Sequence, residues 1–226
     1  MKKKKSNMLK SEPKSQSNDL NSHFSELRKR IVISLIIYVI ATVLGFIFHR
    51  NILSLMVEPV TEINQLSQGL PVFTNITEFW SVVMKVSLLS GLLLSFPLIS
   101  YQILAFVLPG LKNNEKKFII ILLPGSIISF YAGAAFGFFV LLPPAINFLV
   151  FFGGDISEPL IRIGSLVQLT INLMLWMGVC FQLPIIMYLL TSIKVVNAKK
   201  LSYFRKYFII FSFVLGAVIT PTFDPV

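Results

Sequence analysis

The apolar residues of this chain fall into long uncharged runs. Residues 31–49, 86–111, 118–154, 163–193 and 207–223 contain no Asp, Glu, Lys or Arg. About 20 apolar residues suffice to cross a hydrocarbon core of roughly 30 Å. The spacing therefore predicts five transmembrane helices, near 31–49, 80–108, 118–142, 165–191 and 206–220. Polar and apolar positions do not alternate as they do in barrel strands, so the spans are helices. The third run is too long for one crossing, at roughly 55 Å as a helix. Pro143-Pro144 is predicted to end that span and leave 145–152 at the interface. Ahead of the first span, Leu20, Phe24, Leu27 and Ile31 recur at helical spacing. That stripe predicts a short amphipathic helix on the membrane surface. Residues 1–19 are basic and then rich in Ser, Asn and Gln, and read as a disordered tail. Residues 20–226 form a single transmembrane domain in this reading. The first apolar run starts too late and is too long for a cleaved signal peptide.

Composition sharpens the assignment. Of 226 residues, 55% are hydrophobic and only 13% charged. Soluble domains carry about 25% charged residues. An apolar content this high also excludes disorder over most of the chain. The net charge of +10 would suggest nucleic acid in a soluble protein, but its distribution is topological and no nucleic-acid partner is expected. Nine basic residues precede the first span, three lie at 112–117 and five at 192–206. Loop 50–79 holds only Arg50, loop 153–164 only Arg162, and Lys85 lies within a span. By the positive-inside rule, the N-terminus and the second and fourth loops face the cytoplasmic-type side, and five spans put the C-terminus opposite.

The chemistry inside the spans is sparse. Lys85 is the one formal charge well inside a span, placed to snorkel outwards towards Glu78. Gln168, Asn172 and Gln182 lie in the fourth span, where amides hydrogen-bond between helices. No acidic relay for a proton pump is present at mid-membrane. A serine nucleophile would need an adjacent base and a zinc site three protein ligands. One cysteine, Cys180, and two histidines at opposite ends of the first span supply neither, and no metal, cofactor or catalytic site is expected. A small-solute transporter or channel is the competing class, but neither inverted repeats nor a charged pathway is visible.

Two carboxylates stand out at the basic interface. Glu26 lies in HFSELRKR at 23–30, and Glu115 among lysines in LKNNEKK at 111–117. By composition each is a solvated face charge, and Glu26 can pair with Arg30 one turn on.

The order of motifs resembles the TatC family, the multispanning receptor subunit of the twin-arginine protein translocase. The resemblance rests on HFSELRKR, EP at 58–59, EFWSVVMK at 78–85 and FPLISYQILAFVLPGLKNNEKK at 96–117. It continues through FYAGAAFGFFVLLPPAINF at 130–148, GVCFQLPI at 178–185 and FRKYFIIFSFVLGAVITPTFDP at 204–225. It implies an all-α integral membrane protein: a concave polytopic bundle of kinked helices, six in the family and five here, since the chain stops at Val226. Kinks are expected at Pro97, Pro124 and Pro184. It further implies a receptor for the twin-arginine signal peptides of folded precursors, which nucleates a translocase driven by the proton-motive force. Its partners would be single-span TatA/TatB-type subunits and membrane lipid, in an oligomeric complex. Glu26 and Glu115 match the family's acidic positions for the arginine pair, with Arg28 orienting Glu26 or its helix. A guanidinium pairs bidentately with a carboxylate and lysine does not. Pro59, Phe106, Gln182 and Asp224 match positions used for structure or for contacts along the groove. Position 182 is Gln where some members carry Glu. The richness in Lys, Asn, Ile and Phe, with the plastid-like and cyanobacterial-like segments, favours a plastid thylakoid protein over a mitochondrial inner-membrane or bacterial plasma-membrane one.

Overall fold

The computed structural model describes residues 14–63, 71–108, 116–151 and 161–192, with 206, 207, 209, 210, 212–214 and 216. The elements are α1 (Lys14–Ile47), α2 (His49–Ile63), α3 (Glu78–Val107), α4 (Lys116–Phe136), a π-helical stretch (Gly137–Leu141), α5 (Leu142–Phe151), α6 (Ile163–Cys180) and α7 (Leu183–Ser192). Extended pairing among the described residues is one parallel bridge between Val72 and Arg162. Among the described residues, four helical segments are long and apolar enough to cross a membrane: Phe24–Ile47, Glu78–Val107, Leu122–Leu149 and Ile163–Thr191. This is a polytopic helical membrane bundle. The predicted fifth span, 206–220, is described only at 206, 207, 209, 210, 212–214 and 216, all of them helical.

α1 runs antiparallel along α3. Their contact is close because the seam is lined with small residues: a Cβ added at Gly91 would sit 2.7 Å from Thr42 Cα. One added at Gly45 would collide with Ser90. Close backbone approach through small residues is how helices associate in lipid, where apolar surface gains nothing by leaving the solvent. The hydroxyls that this seam buries turn back on their own helix: Ser87 donates to Val83 O at 2.7 Å and Ser90 to Ser87 O at 3.0 Å. The opposite face of α1, including Leu35, Ile36, Val39, Ile40 and Val43, is exposed and apolar. In a bilayer such a stripe faces lipid or a partner helix.

One buried cluster lies at the end of the bundle where α1 finishes and α3 and α6 begin. Met56 of α2 joins Val82, Val86 and Leu89 of α3 and Ile163 and Val167 of α6. A neighbouring cluster sets Phe138, Leu142 and Ile146 against Leu166, Leu169 and Leu173 of α6.

Three expectations change. α1 begins at Lys14, inside the stretch expected to be disordered, and runs unbroken through the predicted surface helix into the first span. No Gly or Pro occurs between Lys14 and Ile40 to break it. Pro143-Pro144 does not end the third span, since α5 carries on to Phe151. The π-helical stretch comes just before, and the Leu142 N–H bonds Gly137 O, five residues back. That wider ladder accommodates two missing N–H groups and relieves the ring clash that stops an ordinary helix. The fourth span is interrupted at Phe181 and Gln182, between α6 and α7 and just before Pro184, where a kink is expected.

Prolines within spans free carbonyls that lipid cannot satisfy. Pro97 frees Leu93 O, and the Tyr131 hydroxyl of α4 donates to it at 2.7 Å. At the α6–α7 break, Ser129 Oγ donates to Phe181 O at 2.7 Å.

Candidate functional site

The candidate site is built at the other end of the α1–α3 pair, where α1 is young and α3 is finishing. Glu26 and Arg30 lie one turn apart on α1. Arg30 donates from Nη2 and Nε to the same carboxylate oxygen, Glu26 Oε1, at 2.6 and 3.1 Å. Its remaining edge reaches across the seam, where Nη1 donates to Gln102 Oε1 of α3 at 3.3 Å. The pair is partly exposed, with 38% of the Glu26 side chain and 23% of the Arg30 side chain open. Glu26 Oε2 accepts no hydrogen bond from any described residue.

Arg28 makes no hydrogen bond or ion pair with Glu26 among the described residues. Residues two apart on a helix point to different faces. Arg28 is exposed and lines an open hollow of about 550 Å³ with Lys29, Phe24, Ser25, Val32 and Ile33. Arg30, which the sequence offered only as a surface pair, is the residue that touches Glu26. Phe106 is half-buried in the last turn of α3, one turn beyond Gln102 and so at the same end. Glu115 and Asp224 lie outside the described residues. Pro59 lies within α2, at the other end of the bundle, and its side chain is outside them too.

Gln182 is not brought to this face. It sits at the α6–α7 break and is fully engaged with α4: Ser126 Oγ donates to its Oε1 at 2.8 Å and its Nε2 donates to Ser126 O at 2.9 Å. A half-buried amide in lipid needs such a partner. Gln168 and Asn172, expected to bond between helices, pair within α6 instead, at 3.0 Å. Residues four apart on one helix are the nearest partners available.

A second carboxylate–arginine site occupies the opposite end. Glu78 Oε2 accepts from Thr74 N (2.8 Å), Thr74 Oγ1 (2.9 Å) and Asn75 N (3.3 Å), and Oε1 accepts from Gly164 N (3.0 Å). Arg162 Nη2 stands 3.7 Å away. Glu78 is therefore no partner for Lys85, which lies exposed two turns further along α3. The sequence signalled this knot in part, since Thr74-Asn75 before Glu78 is a helix-start pattern. Gln102 carried a weaker signal, as the one Asn or Gln in the 86–111 run.

Comparison with known proteins places the chain. Residues 22–226 match the family described as "Sec-independent protein translocase protein (TatC)". The Sec-independent protein translocase protein TatC of Carboxydothermus hydrogenoformans is 37% identical over 202 residues, covering 89% of this chain and 82% of the relative. The chloroplastic TATC protein of Arabidopsis thaliana is 36% identical over 219 residues, covering 95% of this chain and 62% of that one. A crystal structure of the twin arginine translocase receptor TatC in DDM superposes with a TM-score of 0.80 at 33% identity, over 89% of this chain and 90% of the other. The bundle of apolar helices and these matches agree over nearly the whole length: the chain belongs to the TatC family of Sec-independent protein translocase proteins.

Proposed function

We propose that this protein recognises the twin-arginine signal peptides of folded precursors at its basic end and nucleates the translocase that exports them. The observation that carries the proposal is Glu26, a carboxylate set among Arg28, Lys29 and Arg30 with one oxygen open. A cationic peptide gains nothing from the surrounding lysines and arginines, so isolated acids select it. Glu115, which in sequence immediately precedes α4, supplies the second carboxylate for the second arginine. Phe106, one turn beyond Gln102 on α3, contributes a contact for the bound peptide. Gln182, Pro59 and Asp224 act in structure or in contacts with partners, and the exposed apolar face of α1 suits lipid or single-span TatA/TatB-type subunits. The role is that of a receptor and assembly platform without catalytic groups, working on the proton-motive force. The relatives' plastid and bacterial origins suit a thylakoid protein with its N-terminus on the stromal side.

The test is capture of a folded precursor bearing a twin-arginine signal, against the same precursor with twin lysine. Retention of the first alone is expected. Equal retention of both, or of neither, would overturn the receptor reading in favour of a small-solute transporter. Orientation is checked by labelling single cysteines with an impermeant reagent in a Cys180-free background. Position 115 is expected to be reached only from the N-terminal side.

A further inference from the structure

An arginine one turn from a glutamate on an exposed helix face is free to turn. Left alone, its guanidinium would lie side-on and take both carboxylate oxygens, the strongest arrangement open to it. Arg30 does not do this. Two of its N–H groups converge on Glu26 Oε1, and the third contact is made 72 residues away, with Gln102 of α3. The amide oxygen of Gln102 thus holds the plane of the guanidinium across the α1–α3 seam. The seam is closely packed, because Gly45 and Gly91 let the two backbones come together further along. The result is that Glu26 Oε2 is left open while its carboxylate is still anchored.

We infer that Gln102 is a positioning residue for arginine recognition: it restrains Arg30 so that one oxygen of Glu26 stays available to an incoming guanidinium. The inference rests on the proposed role of Glu26. Without Gln102, Arg30 swings to the side-on pairing and competes with the ligand inside its own site. An incoming arginine must then displace an intramolecular one, and the loss falls on arginine ligands more than on lysine ligands. A lysine makes a point contact and has less geometry to lose.

The test uses the full chain in lipid nanodiscs and a synthetic signal peptide carrying Arg-Arg, with a matched Lys-Lys peptide. Gln102→Met keeps the length of the side chain and removes the acceptor. It is expected to weaken Arg-Arg binding about tenfold, the scale of one charge-assisted hydrogen bond, and to narrow the Arg-Arg to Lys-Lys ratio. Gln102→Glu, which keeps an acceptor for Arg30, is expected to preserve both. The decisive measurement is the double variant. If Gln102 acts only by restraining Arg30, then Gln102→Met added to Arg30→Gln produces no further loss, a strongly non-additive cycle. Equal losses in the presence and absence of Arg30 would overturn the inference and make Gln102 a direct peptide contact or a packing residue. Glu26→Gln separates the two levels. If it leaves Arg-Arg binding intact, the role of Glu26 fails and the restraint fails with it. If it weakens binding while Gln102→Met does not, only the restraint is wrong.

Discussion

The two ends of the bundle each carry a glutamate beside an arginine, and they use them differently. At the end where α3 and α6 begin, Glu78 is 9% exposed and both of its oxygens are occupied by backbone and side-chain donors from two parts of the chain. At the other end, Glu26 is 38% exposed and accepts on one oxygen only. A saturated carboxylate ties chain segments together and has nothing left for a ligand. A half-used one, next to excess positive charge, is poised to accept another donor. The count of open lone pairs therefore separates the structural knot from the proposed recognition site where residue type and sequence motif do not.

That contrast can be broken most sharply by charge reversal. Glu26→Lys and Glu115→Lys are each expected to lower crosslinking to the arginine motif by roughly 10- to 100-fold or more, the scale of a lost charged hydrogen bond plus repulsion, while the protein still accumulates in the membrane. Wild-type crosslinking in both variants would leave the basic end without a recognition role. Glu78→Ala should do the reverse. Folded, detergent-stable protein falls steeply, because four donors lose one acceptor and the starts of α3 and α6 come apart, while whatever folds still discriminates Arg-Arg from Lys-Lys. A stable Glu78→Ala protein that has lost discrimination would erase the distinction. The seam that links the two ends is tested by Gly91→Leu, expected to cost about 1–3 kcal/mol by overpacking, read as a lower melting temperature. Tyr131→Phe removes only the donor to Leu93 O and should cost about 0.6 kcal/mol, up to about 1.7, as hydrogen bonds within membranes do. No change there would mean that the carbonyl freed by Pro97 finds another partner.

The spans were legible in the sequence because lipid as a solvent demands uncharged length, and that demand is local. Glu26 was legible as a lone acid among bases for the same reason. What the sequence hid is non-local. Nothing near Arg30 announces Gln102, and nothing near Glu78 announces Gly164. The continuation through Pro143-Pro144 was hidden too, since the cost of a proline depends on the hydrogen-bond ladder before it, here widened at Gly137–Leu141. α2 was there to be found: Ile52, Leu53, Met56 and Val57 have helical spacing, but a search for uncharged runs passes over a helix containing Arg50 and Glu58.

The small-residue seam between α1 and α3 also has a consequence for biogenesis. It joins two membrane-crossing segments that are made before the rest of the described bundle, and its closest approaches, Gly45 with Ser90 and Gly91 with Thr42, involve no residue beyond Gly91. The pair can lock as a hairpin while the C-terminal half is still being made. The buried faces of α2, α3 and α5, by contrast, have to wait for α6 before they are covered. A nascent chain stalled soon after α3 has emerged would already hold Glu26, Arg30 and Gln102 in register, so half of the proposed recognition face is assembled before the rest of the bundle exists.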